Sequence, residues 1–196
     1  MTREAKLSAA LVAVFIVCFG ILCYLQGGII LVSVITGSMA VAFVMWLLTT
    51  ARRPADPKRI LPYYIAALAL LYIHILEEYS TDFAGRIANL FNTQWTGHEH
   101  ALLFGVAGPA IWTAMGIGVW FGKPLPNYFV MFIFVGMFGG ELTHVLLFPV
   151  LEALHTGRYA YFPGMWTSLF PLVPSVAGLF VIVRDHMREP GAQGAL

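Results

Sequence analysis

The segment His74-Ile75-Leu76-Glu77-Glu78 places one imidazole and two carboxylates near the end of a long apolar run, 61–79. On a helix, Glu77 and Glu78 lie one turn beyond His74, on roughly its face. A charged group at the centre of an apolar membrane helix costs about 3 kcal/mol or more unless it is paired. Imidazole nitrogens and carboxylate oxygens are ligands of transition metals. The spacing therefore predicts a metal site.

A second pair of candidate ligands, Glu141 and His144, lies in another apolar run. Glu-x-x-His spacing puts both side chains on one helical face, as in the dinuclear carboxylate sites of helix bundles. Gly136 and Gly140 precede and adjoin this pair, and their small-xxx-small spacing is expected to let a neighbouring helix approach closely.

The two carboxylate groups are expected at similar depth. Glu77 follows Pro62 by fifteen residues, and Glu141 follows Pro126 by fifteen. If both helices rise from the same membrane face at about 1.5 Å per residue, the two carboxylates reach the same height. We therefore expect one site shared between two helices.

A third candidate group, His98-Glu99-His100, follows Thr96 at the start of a further apolar run. His98 and His100 point to roughly opposite sides of a helix, so at most one of them is expected at a shared site. His100 is favoured because it lies deeper in the run. Glu99 has capping-box spacing from Thr96, so a helix cap and a metal ligand remain alternative roles for it.

Three further candidates are ranked behind these. His155 follows His144 by eleven residues and would share its face, but about 16 Å higher on a continuous helix. Arg86 and Tyr159 lie in the expected outer loops. An aromatic belt at the membrane interface explains the tyrosines there equally well.

Membrane helices must position these groups. The chain has 196 residues, of which 59% are hydrophobic and 11% charged, with a mean hydropathy of +0.79, values that exclude a soluble domain. Apolar runs of about 20 residues can cross a bilayer. We predict an all-α polytopic bundle, one domain over 1–189 with a disordered tail at 190–196, and a tight hairpin at Gly27-Gly28. The six expected transmembrane helices are 7–25, 28–50, 61–80, 99–121, 127–149 and 165–184.

The positions of Lys and Arg predict the orientation. The connection 52–59 is short and basic, and the positive-inside rule assigns it to the cytoplasm, together with both termini. Nine of the eleven Lys and Arg then lie on the cytoplasmic side, and only Arg86 and Arg158 lie outside. This predicts an integral protein of a prokaryotic plasma or inner membrane, with the site facing the outer side.

Charge balance favours a metal. No Lys or Arg lies within the expected membrane spans that contain Glu77, Glu78 and Glu141. Protons or cations must therefore balance the three carboxylates. A divalent metal ion does so with the fewest added groups, and mixed His and carboxylate ligands suit iron, zinc or manganese, of which iron or zinc is the expected cofactor. The alternative is a buried ion-pair and hydrogen-bond network that only orients the helices.

At His74, Glu77 and Glu78 the chain resembles the family of small integral membrane proteins named for an HxxEE motif. The motif covers five residues, and the later Glu141 and His144 fit the same picture. The resemblance implies a membrane helix bundle with a metal-type site. It implies no substrate.

The favoured function is a membrane-embedded metal-dependent enzyme, a hydrolase or a di-iron-type oxidoreductase, that acts on a lipid or another hydrophobic molecule. Glu77 or Glu78, whichever is not a ligand, is the expected catalytic base. A proton or metal-ion transporter, a haem protein with His74 and His144 as axial ligands, and a structural subunit are the alternatives. We expect the lipid bilayer as a partner and no nucleic acid, and the oligomeric state stays open.

Overall fold

A computed structural model describes residues 1–188, and over that range the chain is all-helical, without a strand. The predicted all-α class is therefore confirmed, whereas the domain limit at 189 and the tail at 190–196 lie outside the described residues. The helical elements are α1 (Arg3–Leu31), the π-helical π1 (Val32–Thr36), α2 (Gly37–Leu48), α3 (Pro57–Ser80), α4 (Phe83–Phe91), α5 (Gly97–His100), the π-helical π2 (Ala101–Ala107), α6 (Gly108–Val119), α7 (Pro124–Leu146), α8 (Phe148–Thr156) and α9 (Leu169–Met187).

Several helices have the length and composition of membrane spans. Large apolar side chains such as Leu25, Phe121 and Val173 are more than 70% exposed, which suits contact with lipid rather than water. The architecture is that of an integral membrane protein. Within the described range, five helical segments meet the criteria for a span: Arg3–Leu48, Pro57–Ser80, Gly97–Val119, Pro124–Thr156 and Leu169–Met187.

The first of these segments contains a reversal of the chain. Gly28 has φ 64° and ψ −160°, a backbone conformation open almost only to glycine. A methyl group on Gly20 would lie 3.1 Å from Thr36 Cγ2. A straight helix would separate these residues by about 24 Å, because Thr36 follows Gly20 by 16 positions (36 − 20). The two halves of the segment therefore pack side by side.

Helix α3 buries one stripe of side chains. It begins at Pro57, whose missing N–H is tolerated at a helix start, and the Asp56 side chain accepts a hydrogen bond from the Lys58 N–H. Helices α7 and α9 pack against α3. The buried positions recur at three- to four-residue spacing, as expected for an inward-facing stripe: Ile60, Tyr64, Leu68, Leu71, His74, Ile75 and Glu78.

Helix α7 lies centrally, in contact with α2, α6 and α9. It ends at Leu146, and α8 begins at Phe148 just before Pro149. From Gly157 to Ser168 the chain forms bends and turns. The residues 160–168, which we name the 160–168 segment, run over the ends of α3 and α7 and contact both.

Candidate metal centre

Five ionisable side chains from three helices converge in the interior. His74 and Glu78 come from α3, His100 from α5, and Glu141 and His144 from α7. Each of these five residues is at most 6% exposed. His74, Glu78 and His144 each offer a ligand atom within 4.8 Å of the other two. The three sequence-predicted groups therefore meet at one buried site.

The Glu78 carboxylate lies at the centre of the site. Its Oε1 is 3.5 Å from His74 Nε2 and 3.2 Å from His144 Nε2, and its Oε2 is 3.4 Å from His100 Nε2. Ligand atoms bonded at about 2.05 Å to a tetrahedral ion are about 3.4 Å apart. The separations around Glu78 match that value, although ion pairs between imidazolium and carboxylate groups have similar ones.

Hydrogen bonds on the far side of two imidazoles define their tautomers. His144 Nδ1 is 2.9 Å from the Pro163 carbonyl oxygen, which can only accept, so Nδ1 is the protonated nitrogen. His74 Nδ1 is 3.1 Å from Thr167 Oγ1, whose hydroxyl donates to Glu77 Oε2. His74 Nδ1 is therefore also the donor. In the neutral imidazoles both Nε2 atoms present bare lone pairs to the centre, as in metal-binding histidines.

Four buried polar atoms of the centre lack hydrogen bonds within the described range. His74 Nε2 and Glu141 Oε2 are 2.8 Å apart, and neither atom has a hydrogen-bond partner within the described range. Both nitrogens of His100 are also unpartnered there. Each buried polar group without a partner costs about 1–3 kcal/mol. A cation between the lone pairs would satisfy them, so the residues fit a metal.

Glu77 lies outside this group, although the sequence predicted it as a ligand and base. One position before Glu78, it is rotated by about 100° around α3. Its oxygens accept hydrogen bonds from Tyr161 Oη at 2.6 Å, from the Trp166 N–H at 3.2 Å, and from the N–H and hydroxyl of Thr167 at 2.9 and 2.5 Å. Burial, together with donation to Glu77, raises the pKa of the Tyr161 phenol.

At the start of α5 the sequence left open whether His98 or His100 reaches the site, and whether Glu99 is a helix cap or a ligand. Burial and hydrogen bonds distinguish these alternatives. His100 is buried, whereas His98 is exposed. The Thr96 N–H donates to Glu99 Oε2 at 2.9 Å, and the Glu99 N–H donates to Thr96 Oγ1 at 3.3 Å, which together form a capping box. The structure therefore brings His100 to the site and uses Glu99 as a cap.

The three lower-ranked candidates lie away from the centre. His155 is exposed, with its Nδ1 2.9 Å from the Leu151 carbonyl oxygen of its own helix. Arg86 forms an ion pair with Glu152. Tyr159 donates to the Val145 carbonyl oxygen at 3.0 Å. The structure brings none of them to the ligand group.

Sequence reasoning missed the part of the 160–168 segment that covers the centre. Gly164 has φ 82°, and a methyl group placed on it would lie 2.5 Å from His144 Nδ1 and 2.8 Å from His74 Cε1. Pro163 and Thr167 orient the same two imidazoles. The Pro-Gly dipeptide signals a turn, but nothing in its sequence indicates what the turn covers.

An apolar cavity of about 130 Å³ adjoins the centre. The five centre residues, with Ser38 and Thr143, form its polar part, and aliphatic and aromatic side chains form most of the remaining wall. The aromatic wall residues are Phe83, Trp95, Phe104, Trp112, Phe132 and Phe148.

Comparison of the chain with models of protein families, with curated proteins and with solved structures found no match. The resemblance to the HxxEE family therefore stays a prediction from the motif. Buried His74, Glu78 and His144 could hold a metal ion.

Proposed function

We propose that the protein is a membrane-embedded metalloenzyme in which His74, Glu78 and His144 bind one divalent metal ion, and that its substrate is a lipid or another hydrophobic molecule. The observation on which this rests is the pair of Nε2 lone pairs, from His74 and His144, directed at the Glu78 carboxylate. Without a cation or added protons, the two Nε2 lone pairs would face the carboxylate oxygens of Glu78 in a buried site, and all of these atoms are hydrogen-bond acceptors.

The donor set favours a catalytic metal over a purely structural one. Two histidines and one glutamate are the protein ligands of many catalytic zinc sites, and two histidines with one carboxylate also bind non-haem iron(II). Such sites keep a position open for substrate. The metal would supply Lewis-acid or redox chemistry there, and elemental analysis distinguishes zinc from iron.

Glu141 is the carboxylate best placed to hold a proton during a reaction. Its Oε2 lies 2.8 Å from His74 Nε2 and makes no hydrogen bond within the described range, whereas Glu78 is surrounded by three imidazoles. A general base needs such an unoccupied oxygen close to the reacting atoms. This role replaces the one expected for Glu77, whose oxygens accept hydrogen bonds from the 160–168 segment.

One metal ion agrees better with the geometry than two. A second ion on the other side of Glu78 would find His100 and Glu78 Oε2, which are two ligand atoms. Dinuclear carboxylate sites in helix bundles use about four glutamates and two histidines, while this centre contains two glutamates and three histidines. We therefore propose a mononuclear site, in place of the dinuclear one that the spacing of Glu141 and His144 favoured.

The proposed topology has six membrane crossings with both termini in the cytoplasm. The reversal at Gly28 supports counting the Arg3–Leu48 segment as two crossings. The basic 52–59 connection supports a cytoplasmic position for that end of the bundle. The metal centre would then lie in the outer half of the bilayer.

Transport agrees less well with the interior. Between the centre and the 52–59 connection, the core is filled by large side chains that are less than 2% exposed, and an ion crossing this half would meet few polar groups. These side chains include Trp46, Tyr64, Tyr128, Met131 and Phe134.

Elemental analysis of the purified protein tests the proposal. We expect about one equivalent of zinc or iron per wild-type chain, loss of that metal in His144→Ala, and full retention in His155→Ala, whose imidazole is exposed. Wild-type protein without a transition metal would contradict the proposal. Equal metal content in the two variants would contradict the ligand assignment.

A further inference from the structure

The cavity extends from the metal centre towards the basic end of the bundle. Along α7 its wall runs from Glu141 back to Phe132, nine residues or about 14 Å of helix. Leu71 of α3 and Trp112 of α6 face it from the other sides. Polar groups are thus concentrated at one end of an elongated apolar space.

Glycines and π-helical turns leave this space open. A methyl group on Gly136 would meet only Phe132, of its own helix, within 4 Å, and one on Gly140 would meet only Val34, at 3.9 Å. These glycines were expected to permit close helix contact, but Gly136 instead forms part of the cavity wall. The π-helical elements π1 and π2 both contribute wall residues, and π-helical turns occur often at functional sites.

The cavity wall provides no partner for a charged head group. Among the described residues that line it there is no Lys or Arg, and its two carboxylates, Glu78 and Glu141, already balance one divalent ion. A buried charge without a partner is strongly disfavoured. The polar end of a bound molecule is therefore expected to be uncharged.

The 160–168 segment covers the centre on its other side. Phe162 is fully buried, and its ring centroid lies 6.1 Å from that of Phe83, which in turn lies 4.8 Å from that of His144. Gly164 lies so close to His74 and His144 that an added methyl group would be within 2.8 Å of each imidazole. A ligand is therefore expected to enter from the apolar side, between helices, and not through this segment.

We infer that the cavity binds the chain of an uncharged, single-chain amphiphile, such as a fatty alcohol, aldehyde or amide, with its polar end at His74, Glu78 and His144. This rests on the proposed function, since the bound metal cancels the carboxylate charge. Engineered apolar cavities of about 150 Å³ bind a ligand the size of benzene. A cavity of about 130 Å³ therefore suits a segment of one chain and excludes a pair of acyl chains.

The test measures binding of three labelled ligands to wild-type protein in nanodiscs by equilibrium dialysis: decanol, decyl sulfate and decylammonium. We expect the protein to raise retention of decanol above that of empty nanodiscs, with little effect on the two charged ligands. Equal retention of either charged ligand, or no retention of decanol, would overturn the inference. This comparison needs no variant to fold.

Matched glycine variants locate the binding. Gly136→Leu fills the cavity and is expected to weaken decanol binding by about tenfold. Gly105→Leu adds the same side chain at an exposed position of π2, outside the cavity wall, and is expected to bind as wild type does. Metal content is measured on the same samples. Wild-type protein with metal but without decanol binding refutes only this inference, whereas wild-type protein without metal refutes the proposed function.

Discussion

The Nδ1–H of His144 donates to the carbonyl oxygen of Pro163 over 2.9 Å, which joins the central helix α7 to the 160–168 segment. This hydrogen bond leaves His144 Nε2 free to bind metal. Such outer hydrogen bonds orient the ligand and raise its basicity. The fold of an irregular segment and the chemistry of the centre are therefore coupled.

Glu77 and Glu78 are expected to respond differently to the same substitution. Glu78→Gln removes a proposed ligand and should abolish metal binding. Glu77→Gln disturbs the hydrogen bonds with the 160–168 segment, one of which leads through Thr167 to His74. Loss of such an outer partner weakens metal affinity by about 10–100-fold. Competition with a chelator measures both affinities. Glu4→Gln, which changes an exposed ion pair, is the control. An equal loss of metal affinity in the Glu77 and Glu78 variants would indicate that Glu77 is a ligand after all.

Gly164→Ala is expected to disturb the centre through steric contact. The added methyl group would lie 2.5 Å from His144 Nδ1, so metal content should fall. Gly157→Ala is a matched control, because Gly157 also has positive φ (74°) but has nothing within 4 Å of such a methyl group in the described part of the chain. Both variants should lose about 1–3 kcal/mol of stability from backbone strain. Identical metal content in the two would refute the contact.

Arg86 is expected to matter little for metal binding, although its position in an outer loop made it a site candidate. Its ion pair with Glu152 is partly exposed, with 42% and 20% of the two side chains accessible. Pairs of this kind contribute about 0–1 kcal/mol. Arg86→Gln should therefore keep its metal and shift thermal unfolding only slightly. Loss of metal in this variant would show that Arg86 acts on the centre.

The reversal at Gly28 predicts where a membrane-impermeant thiol reagent reacts. In a background with Cys18 and Cys23 replaced by Ser, Gln26→Cys should be labelled from outside intact cells. Lys58→Cys should be labelled only after the membrane is permeabilised, because the basic connection is expected in the cytoplasm. Labelling of both positions from the same side would show that the Arg3–Leu48 segment crosses the membrane at most once.

Sequence periodicity was sufficient for the class of fold and for most of the centre. His74 and Glu78 continue the three- to four-residue stripe of α3, and charged groups on an apolar helix are costly unless they meet partners. Glu141 and His144 could be paired with them by spacing and depth. His100 could be preferred over His98 because burial in the apolar run favours it.

Rotation of α3 about its axis was decided only by tertiary packing. Around the motif this helix is apolar on its lipid side as well, where Ile73 and Leu76 are 49% and 64% exposed, so periodicity does not distinguish Glu77 from Glu78. A difference of about 100° sends one carboxylate to the candidate metal centre and the other to the 160–168 segment.

The 160–168 segment and the cavity also required the tertiary structure. An irregular segment has no periodicity, so its path depends on long-range hydrogen bonds such as that from Thr167 to Glu77, ninety positions apart. The cavity exists because Gly136 forms part of its wall, and a glycine has no side chain from whose polarity the direction it faces could be predicted. The sequence by itself thus determined which residues could bind a metal, whereas packing between helices decided which of them face one another.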